Sequence, residues 1–200
     1  GKGKIILVAI GKAAWQMAKT AVGILDGRIS AGIVITKYGH SKGALPPLEI
    51  WEAGHPVPDE NSLKATQRAI ELVQGLQEED TVLFLISGGG SALFEKPLIS
   101  LQELQSITSD LLASGADIVS MNTIRKRLSS VKGGKFAHLC APAKVYAIVL
   151  SDIIGDPLDM IASGPAYPDS STCEEALAAI RKFKIQLPAD AEQALREETP

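Results

Sequence analysis

Residues 4–11 (KIILVAIG) form an unbroken apolar run rich in β-branched side chains. A strand with one wet face alternates apolar and polar residues; a run without alternation is covered on both faces, as in a parallel sheet. A helical pattern follows at once, with Trp15, Ala18, Val22 and Leu25 at three- and four-residue spacing, and then a second short apolar run, 31–36 (AGIVIT). Strand, amphipathic helix and strand make a βαβ unit with a right-handed crossover. This unit commits the chain to an α/β fold with a mostly parallel sheet.

The remaining segments continue the pattern. A short strand is expected at 48–52 (LEIWE), and a helix over about 62–76 that Asn61 or Asp59 caps. A third buried strand, 80–90 (DTVLFLISGGG), ends in glycines, and residues 143–152 (AKVYAIVLSD) form a further strand. Helices are expected from Ser100, from about 117 towards Leu128, and over 172–183; Ser100 with Glu103 and Thr172 with Glu175 have capping-box spacing. The segment 190–200 (DAEQALREETP) reads as part of a helix that stops. No composition break marks a second domain, so one doubly wound domain is expected.

Composition sharpens what such a fold can do. Hydrophobic residues make up 46% of the 200, and the net charge is only −3, a balance that excludes intrinsic disorder. The same balance gives no basic footprint for nucleic acid. No apolar run reaches the ~18–20 residues needed to cross a bilayer, so no membrane partner is expected. Cys140 and Cys173 form no CxxC unit and read as free thiols. With no signal-peptide pattern at the start, the expectation is a cytoplasmic protein, a leader preceding residue 1 aside. The chain opens directly in an apolar run, which suggests a piece of something longer.

In an open parallel sheet, ligands bind beyond the carboxyl ends of the strands. Each predicted strand ends in small, polar or ionisable residues: Gly11 and Lys12; Thr36 to His40; Ser87, Gly88, Gly89, Gly90 and Ser91; and Ser151, Asp152, Gly155 and Asp156. The SGGGS segment can converge backbone N–H groups on an anion, assisted by the dipole of the helix that follows. It matches neither the P-loop nor the GxGxxG spacing. Lys12 at a strand tip is a mobile point charge suited to phosphate or carboxylate. Residues 122–137 place Asn122, Arg125 and Lys126 within helical reach of one another, with Arg127, Lys132 and Lys135 nearby, which suits a multiply anionic small molecule. Asp152 and Asp156 beside Gly155 suit Mg²⁺ held partly through substrate phosphate. His55, between Gly54 and Pro56, is placed for a polar contact in a loop. Glycine donors, cations and an aspartate pair are the parts that phosphoryl transfer needs.

Seven segments together resemble the glycerate 2-kinase family, older members of which were labelled hydroxypyruvate reductases. They are 11–18 (GKAAWQMA), 36–40 (TKYGH), 53–62 (AGHPVPDENS), 87–93 (SGGGSAL), 114–118 (SGADI), 122–134 (NTIRKRLSSVKGG) and 151–165 (SDIIGDPLDMIASGP). The resemblance implies a Rossmann-like three-layer α/β domain with helices on both faces of its sheet. Residues 1–200 would be most or part of that large N-terminal domain, with a smaller C-terminal domain outside the chain and the active site between the two. It also implies ATP-dependent phosphorylation of D-glycerate to 2-phosphoglycerate with Mg²⁺. The implied catalytic residues are Lys12, Arg125 and Asp152. The implied phosphate- or substrate-binding residues are Ser87 to Ser91, Asn122, Lys126 and Lys132, with Asp152 and Asp156 for the metal. A homo-oligomer is compatible with it. The chain departs from the commoner pattern at Ser120, Arg127, Pro157 and Ala166. The rival readings are an NAD(P)H-dependent hydroxypyruvate reductase, against which the missing GxGxxG argues, and a non-catalytic anion-binding module.

Overall fold

The computed structural model describes residues 3–150, 164–166 and 168–200. Its five strands are β1 (Ile5–Ile10), β2 (Ala31–Lys37), β3 (Leu48–Ala53), β4 (Thr81–Ser87) and β5 (Lys144–Leu150). They lie in the order β3-β2-β1-β4-β5, every neighbour parallel. The doubly wound α/β expectation therefore holds. β1 and β2 have no exposed residue, as their unbroken apolar runs require. β5 differs: Tyr146, Ile148 and Leu150 are more than half exposed on one face of the sheet. With α1, that face borders an apolar groove of about 410 Å³.

The first helices connect the strands. α1 (Ala14–Leu25) follows β1, and α2 (Glu60–Val73) joins β3 to β4. Asp59 is the cap of α2: its carboxylate accepts from the Ser62 N–H while the Ser62 hydroxyl accepts from the Asp59 N–H. Asn61 instead donates to the Tyr38 hydroxyl and the Glu52 carbonyl. After β4 come α3 (Gly90–Leu93), α4 (Leu101–Ala113), α5 (Ile118–Arg127) and α6 (Lys135–Cys140). Ser100 and Glu103 form the expected capping box on α4.

α7 (Cys173–Phe183) and α8 (Ala189–Leu195) complete the described helices. At α7 the box is half formed. Thr172 caps the Glu175 N–H, but the Glu175 carboxylate accepts from the Thr172 hydroxyl rather than from its backbone.

Two hydrophobic clusters flank the sheet. α1 covers one face through Trp15 and Ala18 on Leu7, Ala9 and Val34. On the other face α2 and α6 pack around Phe84, Phe94 and Phe136, whose rings meet edge to face at 5.0–5.7 Å. A third cluster lies within α4, α5, α7 and α8, built from Ile107, Leu111, Ile124, Ala176 and Leu195 among others. Spacing along the chain did not foretell that these four helices would cover one another.

The strand order fixes where a ligand can bind. From β1 the chain moves outward to β2 and β3, then returns to place β4 on the opposite side of β1. Connections after β1 and β4 therefore diverge, leaving a crevice between their carboxyl ends. Those ends carry Gly11–Lys12 and 87–91 (SGGGS).

Candidate active site at the β1–β4 switch point

The two strand tips are tied together by their own backbone. The Lys12 N–H donates to the Gly88 carbonyl at 2.8 Å, and the Ser87 hydroxyl donates to the Ile10 carbonyl while accepting from the Ala13 N–H. The Thr36 hydroxyl holds the Gly11 carbonyl at 2.9 Å from the β2 side. Gly11 has φ +113°, and a Cβ there would drive into Ser87, so only glycine lets the tips approach this closely.

The frame leaves the Lys12 side chain exposed above the glycines. Its Cε lies 3.9 Å from where a Gly88 Cβ would stand, and its Cγ 3.2 Å from the corresponding point at Gly89. His55 closes the other side, its Cδ2 and Nε2 each 3.0 Å from that Gly89 position. Sequence reasoning gave His55 a polar loop role but had no means of bringing it to a glycine 34 residues away. Beyond Lys12 lies a cavity of about 320 Å³, lined also by Trp15, Gln16, Gly39, His40 and Lys42.

Gly89 has φ +88° and caps α3 in the left-handed region. A Gly89→Ala variant carries about 1–2 kcal/mol of backbone strain and pushes a methyl against His55 and Lys12. The expected outcome is an anion affinity lowered about tenfold or more, since 1.4 kcal/mol is one decade, read by calorimetry with ATP. The helix after the loop is only four residues long, so its dipole contributes less than the sequence reading supposed.

Several predicted site residues face elsewhere. The buried Ser87 hydroxyl is engaged in joining the strand tips, which corrects its assignment as a phosphate ligand; Gly88 and Gly89 remain beside Lys12 at the crevice, while Gly90 is buried at the start of α3. Lys132 is also corrected. Fully buried, its ammonium donates to the Ser91 carbonyl at 2.6 Å and the Phe94 carbonyl at 2.9 Å, and lies 3.4 Å from the buried Glu95 carboxylate. It anchors the turn that follows the glycines. Burial pulls its pKa down to about 8 against the opposing charge of Glu95.

Lys126 needs the same correction: its side chain has no exposed surface and its ammonium pairs with Asp169 at 3.0 Å. Arg127 lies beside it, donating to Thr123, Asp169, Ser171 and Glu198. Lys135 donates to the carbonyls of Lys126 and Ser129. The basic segment is thus largely an internal brace, and the extra charge of Arg127 is neutralised within the fold. Asn122 is buried on α5.

Arg125 stands apart from this brace. It is partly exposed and borders a cavity of about 390 Å³ with Pro56, Val57, Pro58, Gln105 and Thr108. Its Nε has no hydrogen-bond partner among the described residues. Burial lowers its pKa, and the Glu95 charge counters that shift. Pro56 to Pro58 follow His55 directly, so one short segment borders both the Lys12 crevice and the Arg125 cavity.

Asp152, Asp156 and Pro157 lie outside the described residues. Among the described residues, no group of three or more His, Cys, Asp or Glu is arranged to hold a metal ion. The carbonyls of Gly164 and Pro165 accept from the N–H groups of Gly134 and Ala137, tying this turn to the start of α6.

A glycine-lined crevice at the switch point, with an exposed lysine, has the donors and charge that an anion site needs. Residues 1–196 match the family model described as "Domain of unknown function (DUF4147)". The chain belongs to the DUF4147 family. The matches also place it with the glycerate 2-kinase family. It is 59% identical over 199 residues to the D-glycerate 2-kinase of Thermotoga maritima, covering 98% of this chain and 48% of that protein. It is 43% identical over 203 residues to an Agrobacterium vitis protein provisionally named a hydroxypyruvate reductase, covering 100% of this chain and 46% of that one. The crystallised glycerate kinase of T. maritima superposes with a TM-score of 0.96 at 58% identity, over 99% of this chain and 48% of that one. The chain spans about half the length of these relatives. The structural match bears out the three-layer α/β fold that the motifs implied.

Proposed function

We propose that this DUF4147 protein transfers the γ-phosphoryl group of ATP to the 2-hydroxyl of D-glycerate, giving 2-phosphoglycerate. The observation that carries this reading is the meeting of Lys12 with the glycine segment in the β1–β4 crevice. Phosphoryl transfer requires positioning and charge stabilisation more than covalent chemistry by the protein. Here the exposed Lys12 ammonium and the glycine N–H groups supply fixed positive charge for phosphate oxygens. Arg125 supplies a second cation beside the Pro56–Pro58 segment, for the glycerate carboxylate or a transferring phosphate. The carboxylates of Asp152 and Asp156 are hard oxygen donors suited to Mg²⁺, which would neutralise charge on the ATP phosphates. A smaller C-terminal domain would close the crevice from above.

The test is a coupled assay of ADP release with D-glycerate and Mg²⁺·ATP, beside calorimetry with each ligand. Glycerate-dependent ADP formation is the expected result; none, with no binding of ATP, overturns the reading. The name carried by the A. vitis relative favours one rival, reduction of hydroxypyruvate. Loss of absorbance at 340 nm with NADH and hydroxypyruvate, without coupling enzymes, would establish that rival instead.

A further inference from the structure

We propose that His55 is a catalytic residue of this site, the group that takes the proton from the acceptor hydroxyl during phosphoryl transfer. This rests on the kinase reading and deepens it.

Three observations carry the assignment. The imidazole edge bearing Nε2 lies against Gly89, at 3.0 Å from the point where a Cβ would project, with the Lys12 stem 3.2 Å from the same point. The ring nitrogen therefore lies against the glycine segment beside Lys12, where the kinase reading places anionic oxygen. Next, neither ring nitrogen makes a hydrogen bond to any described residue, although His40, its neighbour in the charge field, is bonded to the Lys12 carbonyl. An orienting role within the fold would engage one of them. Finally, the segment carrying His55 continues into Pro56–Pro58, which line the Arg125 cavity, so the loop that bears the imidazole also borders the second partly exposed cation.

Burial and neighbouring charge also favour the neutral base. Burial comes first, then Lys12, Lys37 and His40, in holding its pKa below the ordinary 6.5. Lys12 approaches from the β1–α1 turn, and Lys37 and His40 from the end of β2; the glycine segment opposite contains only Ser and Gly. A neutral imidazole is an acceptor at neutral pH, as a general base must be.

The step balances simply. The hydroxyl oxygen of the acceptor forms a bond to the γ-phosphorus as the bond from that phosphorus to the bridging oxygen breaks, and its electron pair leaves with ADP. The hydroxyl proton moves to a ring nitrogen of His55 and then to water.

The experiment compares wild type, His55→Gln and His55→Ala for glycerate-dependent ADP formation between pH 5 and 9. ¹⁵N spectra of the wild-type imidazole give its titration midpoint. The expected result is a kcat about 100-fold lower in both variants, with KM for ATP and the melting temperature unchanged. The acid limb of the wild-type profile should coincide with the His55 midpoint and vanish in both variants, and added imidazole should partly restore His55→Ala. Active wild type with unchanged kcat and acid limb in the variants overturns the role of His55 alone. Wild type without glycerate kinase activity overturns both readings.

Discussion

Replacing Lys12 with alanine is expected to lower ATP-dependent phosphorylation of D-glycerate at least ~100-fold, the scale for losing one donor to developing charge. The fold should be untouched. The side chain is exposed, and the link between the strand tips runs through the Lys12 backbone N–H and the Gly88 carbonyl, which alanine keeps. Melting temperature and circular dichroism should therefore match wild type while the rate collapses. Lys12→Arg should recover little, because a planar fork does not occupy the place of a compact ammonium beside glycines. A rate equal to wild type in the alanine variant would remove Lys12 from the site.

The second large effect is on stability. Asp169→Ala is expected to cost about 3–5 kcal/mol, the range for removing one partner of a buried ion pair, and to lower the melting point on the order of 10 °C. The Asp169 side chain has no exposed surface and meets Lys126 at 3.0 Å and Arg127 at 3.3 Å. Without it, two buried cations lose their shared carboxylate, and among the described residues the carboxylate that remains near Arg127 is Glu198, at 3.4 Å with its own side chain 59% exposed. An exposed acid screened by water compensates poorly.

Acid should reveal the same group. Burial favours the protonated acid, but hydrogen bonds from the Ser171 N–H and hydroxyl, from Lys126 and from Thr199 outweigh it and hold the pKa down at about 2. Folded Asp169 thus binds its proton less readily than in the unfolded chain, where 3.8 is ordinary. Its contribution is complete above about pH 4 and is lost as pH falls from there to about 2. Denaturant titrations should show that loss in wild type and not in Asp169→Ala. A difference of less than about 1 kcal/mol at pH 7 would mean that water screens the pair.

The strands and most helices were legible because their signals are local. The unbroken run 5–10 can be buried only between two layers, and Ser100 with Glu103 marks a helix start within four residues. The crevice was legible in outline, since a parallel sheet places ligand groups at strand tips whatever its strand order. Lys12 and the glycines stood out for that reason.

What the sequence could not reveal was which of several like residues would be used. Arg125, Lys126 and Arg127 are consecutive and chemically alike, yet Arg125 borders a cavity while the other two are buried. Their fates depend on Asp169, Ser171 and Glu198, more than forty residues away, and on whether a helix closes against them. His55 is the converse case. Its loop has no pattern of its own, and only the sheet order brings it to Gly89. Periodicity, capping and turn residues determined the elements and the end of the sheet where a ligand binds. Tertiary structure alone decided which charges face water and which brace the fold, because burial and pairing depend on distant partners that spacing along the chain does not encode.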